Sequence, residues 1–156
     1  MNPLPWLLSF VMPACGSEGV RGLPVPPPMD VAAIVRPASP NTALAGPDGH
    51  SPAPDRVIAP YPIPPDVLYR AVRAVARDQD RTFPAAHYDE LRQAHYVVRS
   101  KWANFPDLVT IAVAGPETGP STLVVYSRSV YGHSDLGVNR ARIEVWLAAL
   151  STALER

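Results

Sequence analysis

Residues 121–150 read STLVVYSRSVYGHSDLGVNRARIEVWLAAL, and this stretch decides the fold. Residues 122–131 (TLVVYSRSVY) are dense in β-branched and aromatic side chains, the composition of a strand. Both of its faces carry large apolar residues, so the strand alone does not say which face is covered. The polar run 132–138 (GHSDLGV) follows, with Gly132 and Gly137 free to take backbone angles that branched residues avoid, and Ser134, Asp135 or Asn139 placed to cap a helix. From residue 139 to 154, Ile143, Trp146, Leu147, Leu150 and Leu154 form one apolar stripe at helical spacing, with Trp146 as its expected anchor.

Partners for this strand and helix lie upstream. Residues 65–77 predict a helix: Pro65 suits the first helical position, Asp66 complements the dipole, and Leu68, Ala71, Val72 and Val75 share a face. Arg70, Arg73 and Arg77 lie off that face, where a solvated surface is the ordinary explanation. Residues 81–83 predict a weak strand, 94–100 an alternating one, and 107–114 another. The loop 115–120 (GPETGP) has hairpin length. Trp102 and Phe105, in the connector 101–106, are expected to plug the end of the sheet. The fold class is therefore α+β: a small antiparallel sheet of three to four strands with two helices packed on one face, in the order α-β-β-β-β-α over residues 58–156.

The N-terminal third has a different character. Thirteen of the 20 prolines fall between Pro24 and Pro65, and large apolar side chains are few, so residues 16–57 read as a mostly disordered, polyproline-like tether. A tail wrapped on the fold is the other version. Residues 4–14 (LPWLLSFVMPA) are too short to cross a bilayer as a helix and have the length of a signal-peptide core. Small Ala14 then precedes Cys15, the one cysteine, so residues 1–15 resemble a bacterial lipoprotein leader with Cys15 as the lipidation candidate. No Lys or Arg precedes the run. The expected address is the cell envelope, with a lipid anchor to a membrane; the alternative is cytoplasmic.

Fourteen basic and 14 acidic residues cancel, which argues against nucleic acid as a partner. One cysteine and four scattered histidines give no metal site, and no phosphate-binding glycine loop or nucleophile elbow is present, so no cofactor is expected. His133, Ser134 and Asp135 hold the residue types of a hydrolase triad. Adjacent side chains in a turn point apart, however, and capping explains the pair Ser134-Asp135 more simply.

Ser127, Ser129, Gly132, Ser134-Asp135-Leu136-Gly137, Asn139 and Arg142, with the apolar stripe behind them, resemble the C-terminal signature of the bacterial and plastid family called domain of unknown function (DUF) 1499. Arg99, Phe105 and Asp107 resemble its second block. The resemblance spans about residues 58–150. It implies a small envelope-associated or plastid protein and no established reaction. Members often carry an arginine where this chain has Val130, which weakens any anion site built on paired arginines there.

The candidate ligand-binding residues are Arg99, Asp107, Ser127, Arg128, Ser129, Ser134, Asp135 and Asn139, expected to meet where strand passes into turn. Such a group is either a hydrogen-bonded brace or a pocket in which Arg99 or Arg128 holds a carboxylate or phosphate. The expected function is a noncatalytic module binding an envelope protein or a small anionic ligand. The alternatives are a hydrolase-type enzyme at this cluster and a purely structural envelope or assembly factor.

Overall fold

The computed structural model describes residues 16–156; the leader and Cys15 lie outside the described residues. Six strands form one sheet: β1 (Thr42–Gly46), β2 (Arg56–Val57), β3 (Thr82–Tyr88), β4 (Gln93–Arg99), β5 (Pro106–Ala114) and β6 (Thr122–Ser129). Among the described residues two α-helices, α1 (Pro65–Arg77) and α2 (Val138–Leu154), and short 3-10 turns at Val31–Ala33 and Asp89–Leu91 accompany the sheet. The spatial order is β2-β1-β6-β5-β4-β3, and every pair is antiparallel except β1 with β2.

The fold class is α+β as expected, but the sheet is mixed and has six strands rather than three to four. The element order is β-β-α-β-β-β-β-α. The two additional strands come from within the proline-rich segment. β1 is TALAG, and its side chains are small because α2 crosses close above it: Ala43 and Ala45 face the helices while Leu44 faces away. Pro40 and Pro47 flank the strand without interrupting its ladder to β6. Little apolar bulk per residue made this strand invisible to a reading based on hydrophobic pattern.

Both helices cover one face of the sheet. Leu68, Val72 and Val75 of α1 and Ile143, Trp146 and Leu150 of α2 are buried against Tyr96, Val109, Ile111, Val113, Leu123 and Val125. Trp146 is the anchor expected: its ring meets Tyr96 edge-on, with centroids 6.0 Å apart. Trp102, expected as a plug, is instead 72% exposed. The loop that holds it turns outward because Phe105 N–H and Asn104 N–H bond back to Ser100.

The opposite face is covered by the segment before β1. Ile34, Leu44, Val124 and Tyr126 form a second, smaller core there, with Met29 and Val31 packed on it. The backbone of the segment is held at spaced points. The Gln93 side chain accepts from Met29 N–H (2.6 Å) and donates to Met29 O (2.8 Å). Tyr88 donates to Pro26 O, Arg99 to Gly19 O and Arg21 O, and Asn104 to Ser17 O. A proline-rich chain has few amide donors of its own, so side chains of the sheet donate to its carbonyls.

Candidate functional site

The strand-to-helix turn is built around Asn139, which sits in the first turn of α2 and is fully buried. Its Oδ1 accepts from Ser127 Oγ (2.5 Å) and from Arg142 Nη1 (2.7 Å). Its Nδ2 faces three acceptors: Asp135 Oδ2 (2.7 Å), Ser129 Oγ (3.0 Å) and the carbonyl of Asn41 (3.1 Å). Arg142, one turn further along α2, donates to Ser127 Oγ (2.9 Å) and to Asp107 Oδ2 (2.6 Å). The result ties β5, β6, the residue before β1 and the helix into one network whose buried polar atoms find partners.

Asp135 holds the turn itself. Its two carboxylate oxygens accept the amides of Gly137 (2.9 Å) and Asn139 (2.8 Å), so it is the residue that caps α2. Gly137, the residue before the helix, has φ +83°, a conformation that favours glycine. Burial alone would raise the Asp135 carboxyl, but those two amides and the Asn139 side chain outweigh it and hold the group below its ordinary value. Asp107 behaves oppositely: burial pushes its carboxyl up, with the charge of Arg142 and hydrogen bonds from Arg142 and Ser129 pulling back.

The eight candidate residues therefore do not form one group. Asp107, Ser127, Ser129, Asp135 and Asn139 meet on the helix-covered side. Arg99 lies on the other face, 2% exposed, and clamps the N-terminal segment. Arg128 also points to that face. Ser134 is exposed at the turn, with Oγ accepting from Leu136 N–H at 3.3 Å. Two central members were outside the candidate list. Arg142 lies one helical turn from Asn139, a spacing that could have found it. Asn41, which donates to Gly132 O (2.7 Å), sits among prolines with no local signal.

The triad residue types in the turn are not assembled as one. The Asp135 carboxylate is engaged by amides and by Asn139, and Ser127 Oγ already donates to Asn139 and accepts from Arg142. Among the described residues no group of three or more His, Cys, Asp or Glu side chains is placed to hold a metal ion. No helix among them is long and apolar enough to cross a membrane.

Two open concavities adjoin these residues: one of about 470 Å³ lined by Arg36, Asp55, Ser134, Asp135 and Arg140, and a larger one on the second face. A cleft of about 730 Å³ lies between the N-terminal segment and the β1–β6 edge. Met29, Ile34, Val35 and Tyr126 supply its apolar wall, and Arg128 its polar end. The Arg128 side chain is half-buried and makes no hydrogen bond or ion pair among the described residues. Asp30 is at the rim, its carboxylate accepting the amide of Ala32.

A mixed sheet covered by two helices, with a buried Asn–Arg–Asp brace under the Ser-Asp-Leu-Gly turn, defines a class of small α+β domains. The family model described as "Protein of unknown function (DUF1499)" matches residues 33–150, and the chain belongs to that family. The match takes in β1 and β2 as well as the brace. No curated protein matches the chain. Among solved structures it is similar to the crystal structure of protein CV1439 from Chromobacterium violaceum, at 15% identity, over 73% of this chain and 95% of that one, with a TM-score of 0.37.

Proposed function

We propose that this domain is a noncatalytic binding module of the cell envelope, and that it takes a small amphiphilic anion in the cleft beside Arg128. The observation that carries this reading is the unpaired guanidinium of Arg128 at one end of an apolar-walled cleft of about 730 Å³. A half-buried arginine without a counter-charge retains desolvated donors, and a carboxylate or phosphate satisfies two of them at once. Met29, Ile34 and Tyr126 suit an alkyl or flat apolar body on the same ligand.

The test is a calorimetric titration of the protein with decanoate and with decyl phosphate, repeated on Arg128→Gln. Because the Arg128 side chain makes no internal bond, the variant should keep its thermal midpoint while losing affinity by about tenfold or more. Failure of the wild-type chain to bind either amphiphile, or equal binding by the variant, removes this reading.

The envelope address rests on residues 4–14 and Cys15. Intact-mass measurement on the protein from its host's membrane fraction tests it: an acylated species beginning at Cys15 supports it, and an unmodified chain beginning at Met1 in the soluble fraction sinks it. The hydrolase alternative is disfavoured by the Ser127 hydroxyl, which has no base beside it and is committed to Asn139 and Arg142. The brace itself favours a structural role for Asp107, Asn139 and Arg142.

A further inference from the structure

Another concavity lies on the other side of the molecule, between α1 and β3, with a volume of about 350 Å³. Arg70, Arg73 and Arg77 line it from the helix, His87 and Pro84 from the strand, and Tyr96 from below. No carboxylate lines it. Spacing of three and four residues sets the three guanidiniums along one face of α1 beside its apolar stripe, so the fold turns all three toward the groove.

The centre of this group is fixed. Arg73 donates to Asp89 Oδ1 (2.8 Å), lies over the Tyr69 ring with 5.1 Å to its centroid, and approaches His87 Nδ1 at 3.1 Å. Arginine has only donors, so Nδ1 of His87 is the acceptor in that contact. The imidazole proton then resides on Nε2, available as a further donor. Burial and the charge of Arg73 both hold His87 below its ordinary pKa, which agrees with a neutral ring.

The flanking arginines are not consumed by ion pairs. Arg70 makes none among the described residues, and Arg77 has only its neighbour Asp78 at 3.8 Å, both side chains about three-quarters exposed. Asp89 offsets the charge of Arg73 and the exposed Asp78 loosely that of Arg77, which leaves the groove net positive and its two outer guanidiniums able to turn to a phosphoryl group. Exposed Pro84 and the His87 ring stand beside the charge, with the buried Tyr96 ring, tilted 57° to His87 at 5.8 Å, supporting them from beneath.

We infer that the α1–β3 groove is a binding site for a phosphomonoester, its phosphoryl group held by Arg70, Arg73 and Arg77 and its organic part resting on Pro84 and His87. This site is separate from the Arg128 cleft, which opens on the opposite face of the sheet.

The experiment is a titration of the full chain with phenyl phosphate, with benzoate as the carboxylate probe of the same shape. It is run on the wild type, on the double variant Arg70→Gln/Arg77→Gln and on Arg128→Gln. Both arginines of the double variant lie on the surface, so its thermal midpoint should match the wild type. A saturable phase of phenyl phosphate binding is expected, about tenfold tighter than benzoate, that is weakened at least about tenfold in the double variant and persists in Arg128→Gln, which removes only a separate phase belonging to the other cleft. The inference is overturned by absence of saturable binding, by equal affinity for the two probes, or by a loss that follows Arg128 instead of Arg70 and Arg77. The last outcome would place phosphate in the other cleft and leave the proposed function standing.

Discussion

Asp107 on β5 and Arg142 on α2 are joined by an ion pair of 2.6 Å whose side chains are only 8% and 9% exposed. The bond crosses from the sheet to the helix that covers it, and it stands in a network that also fixes Ser127 and Asn139. A buried pair of this kind contributes little over an apolar substitute, yet either charge left alone is costly.

Arg142→Met should therefore destabilise the domain by about 3–5 kcal/mol, and Asp107→Leu/Arg142→Met together should recover much of that loss. Urea unfolding with an unchanged m-value checks it. The single-variant deficit should shrink in acid. Without Arg142 the folded carboxyl of Asp107 lies further above its unfolded value, so protonation as pH falls relieves the buried charge. A single-variant cost below about 1 kcal/mol would mean the brace does not hold α2 to the sheet.

His95, 2% exposed, accepts from Thr110 Oγ1 at Nδ1 (2.9 Å) and donates from Nε2 to Gln93 Oε1 (3.0 Å). Burial first, then the charge of Arg128, lowers its pKa from 6.5 to about 4. As pH falls below 6.5 the unfolded chain takes up this proton before the folded one does. Stability is thus fully present above pH 6.5 and lost progressively down to about pH 4, by up to about 3 kcal/mol. His95→Gln should flatten that part of the curve; an unaltered slope would assign the acid sensitivity to other groups.

Asp135 titrates lower. Its folded carboxyl is held below the ordinary value, so its stabilisation is present above that value and disappears as pH falls through the folded one. Asp135→Ala should cost about 1 kcal/mol near neutral pH, the usual worth of a helix cap, and less in strong acid. Thermal midpoints at the two pH values separate these outcomes.

The N-terminal segment should be protected until its clamps are removed. Arg99→Leu together with Asn104→Ala removes the donors to Ser17, Gly19 and Arg21 carbonyls. Tryptic cleavage after Arg21 should then accelerate by about tenfold or more, since the segment opens locally while the helix-covered core stays folded. Equal cleavage rates before and after would show that these bonds do not hold the segment.

Leu136 has φ +54° and is 94% exposed, an unfavourable conformation for a side chain that buries nothing. Leu136→Gly should be neutral or stabilising by up to about 1 kcal/mol. Gly137→Ala should cost about as much, although a Cβ there meets nothing within 4 Å, because only the backbone angle opposes it. Differential scanning calorimetry distinguishes the two signs.

Much of this molecule is legible along the chain. α1 begins at Pro65 and ends at Arg77, where the apolar spacing and first-turn signals put it. β4, β5 and β6 fall on the runs that predict them, whereas β3 continues through Pro84 to Tyr88, beyond the residues 81–83 that predict it, and Trp146 is the anchor its place on the stripe implies. The parity of β6 also holds: Ser127 and Ser129 face the helix, and Arg128 the other side.

Local spacing determined these features because helix and strand periods are properties of a few consecutive residues. Tertiary structure alone decided the rest. Val98 pairs with Asp107, and Asp107 with Ser129, so Arg99 falls one residue out of step and emerges on the opposite face. A one-residue difference in register reverses a side chain's direction, and nothing in either strand's own sequence fixes that register. The segment read as a tether likewise supplies β1, β2 and the cover of the second face. Its small and proline-rich residues gain burial only from the sheet they lie on, and that sheet is assembled from strands far along the chain.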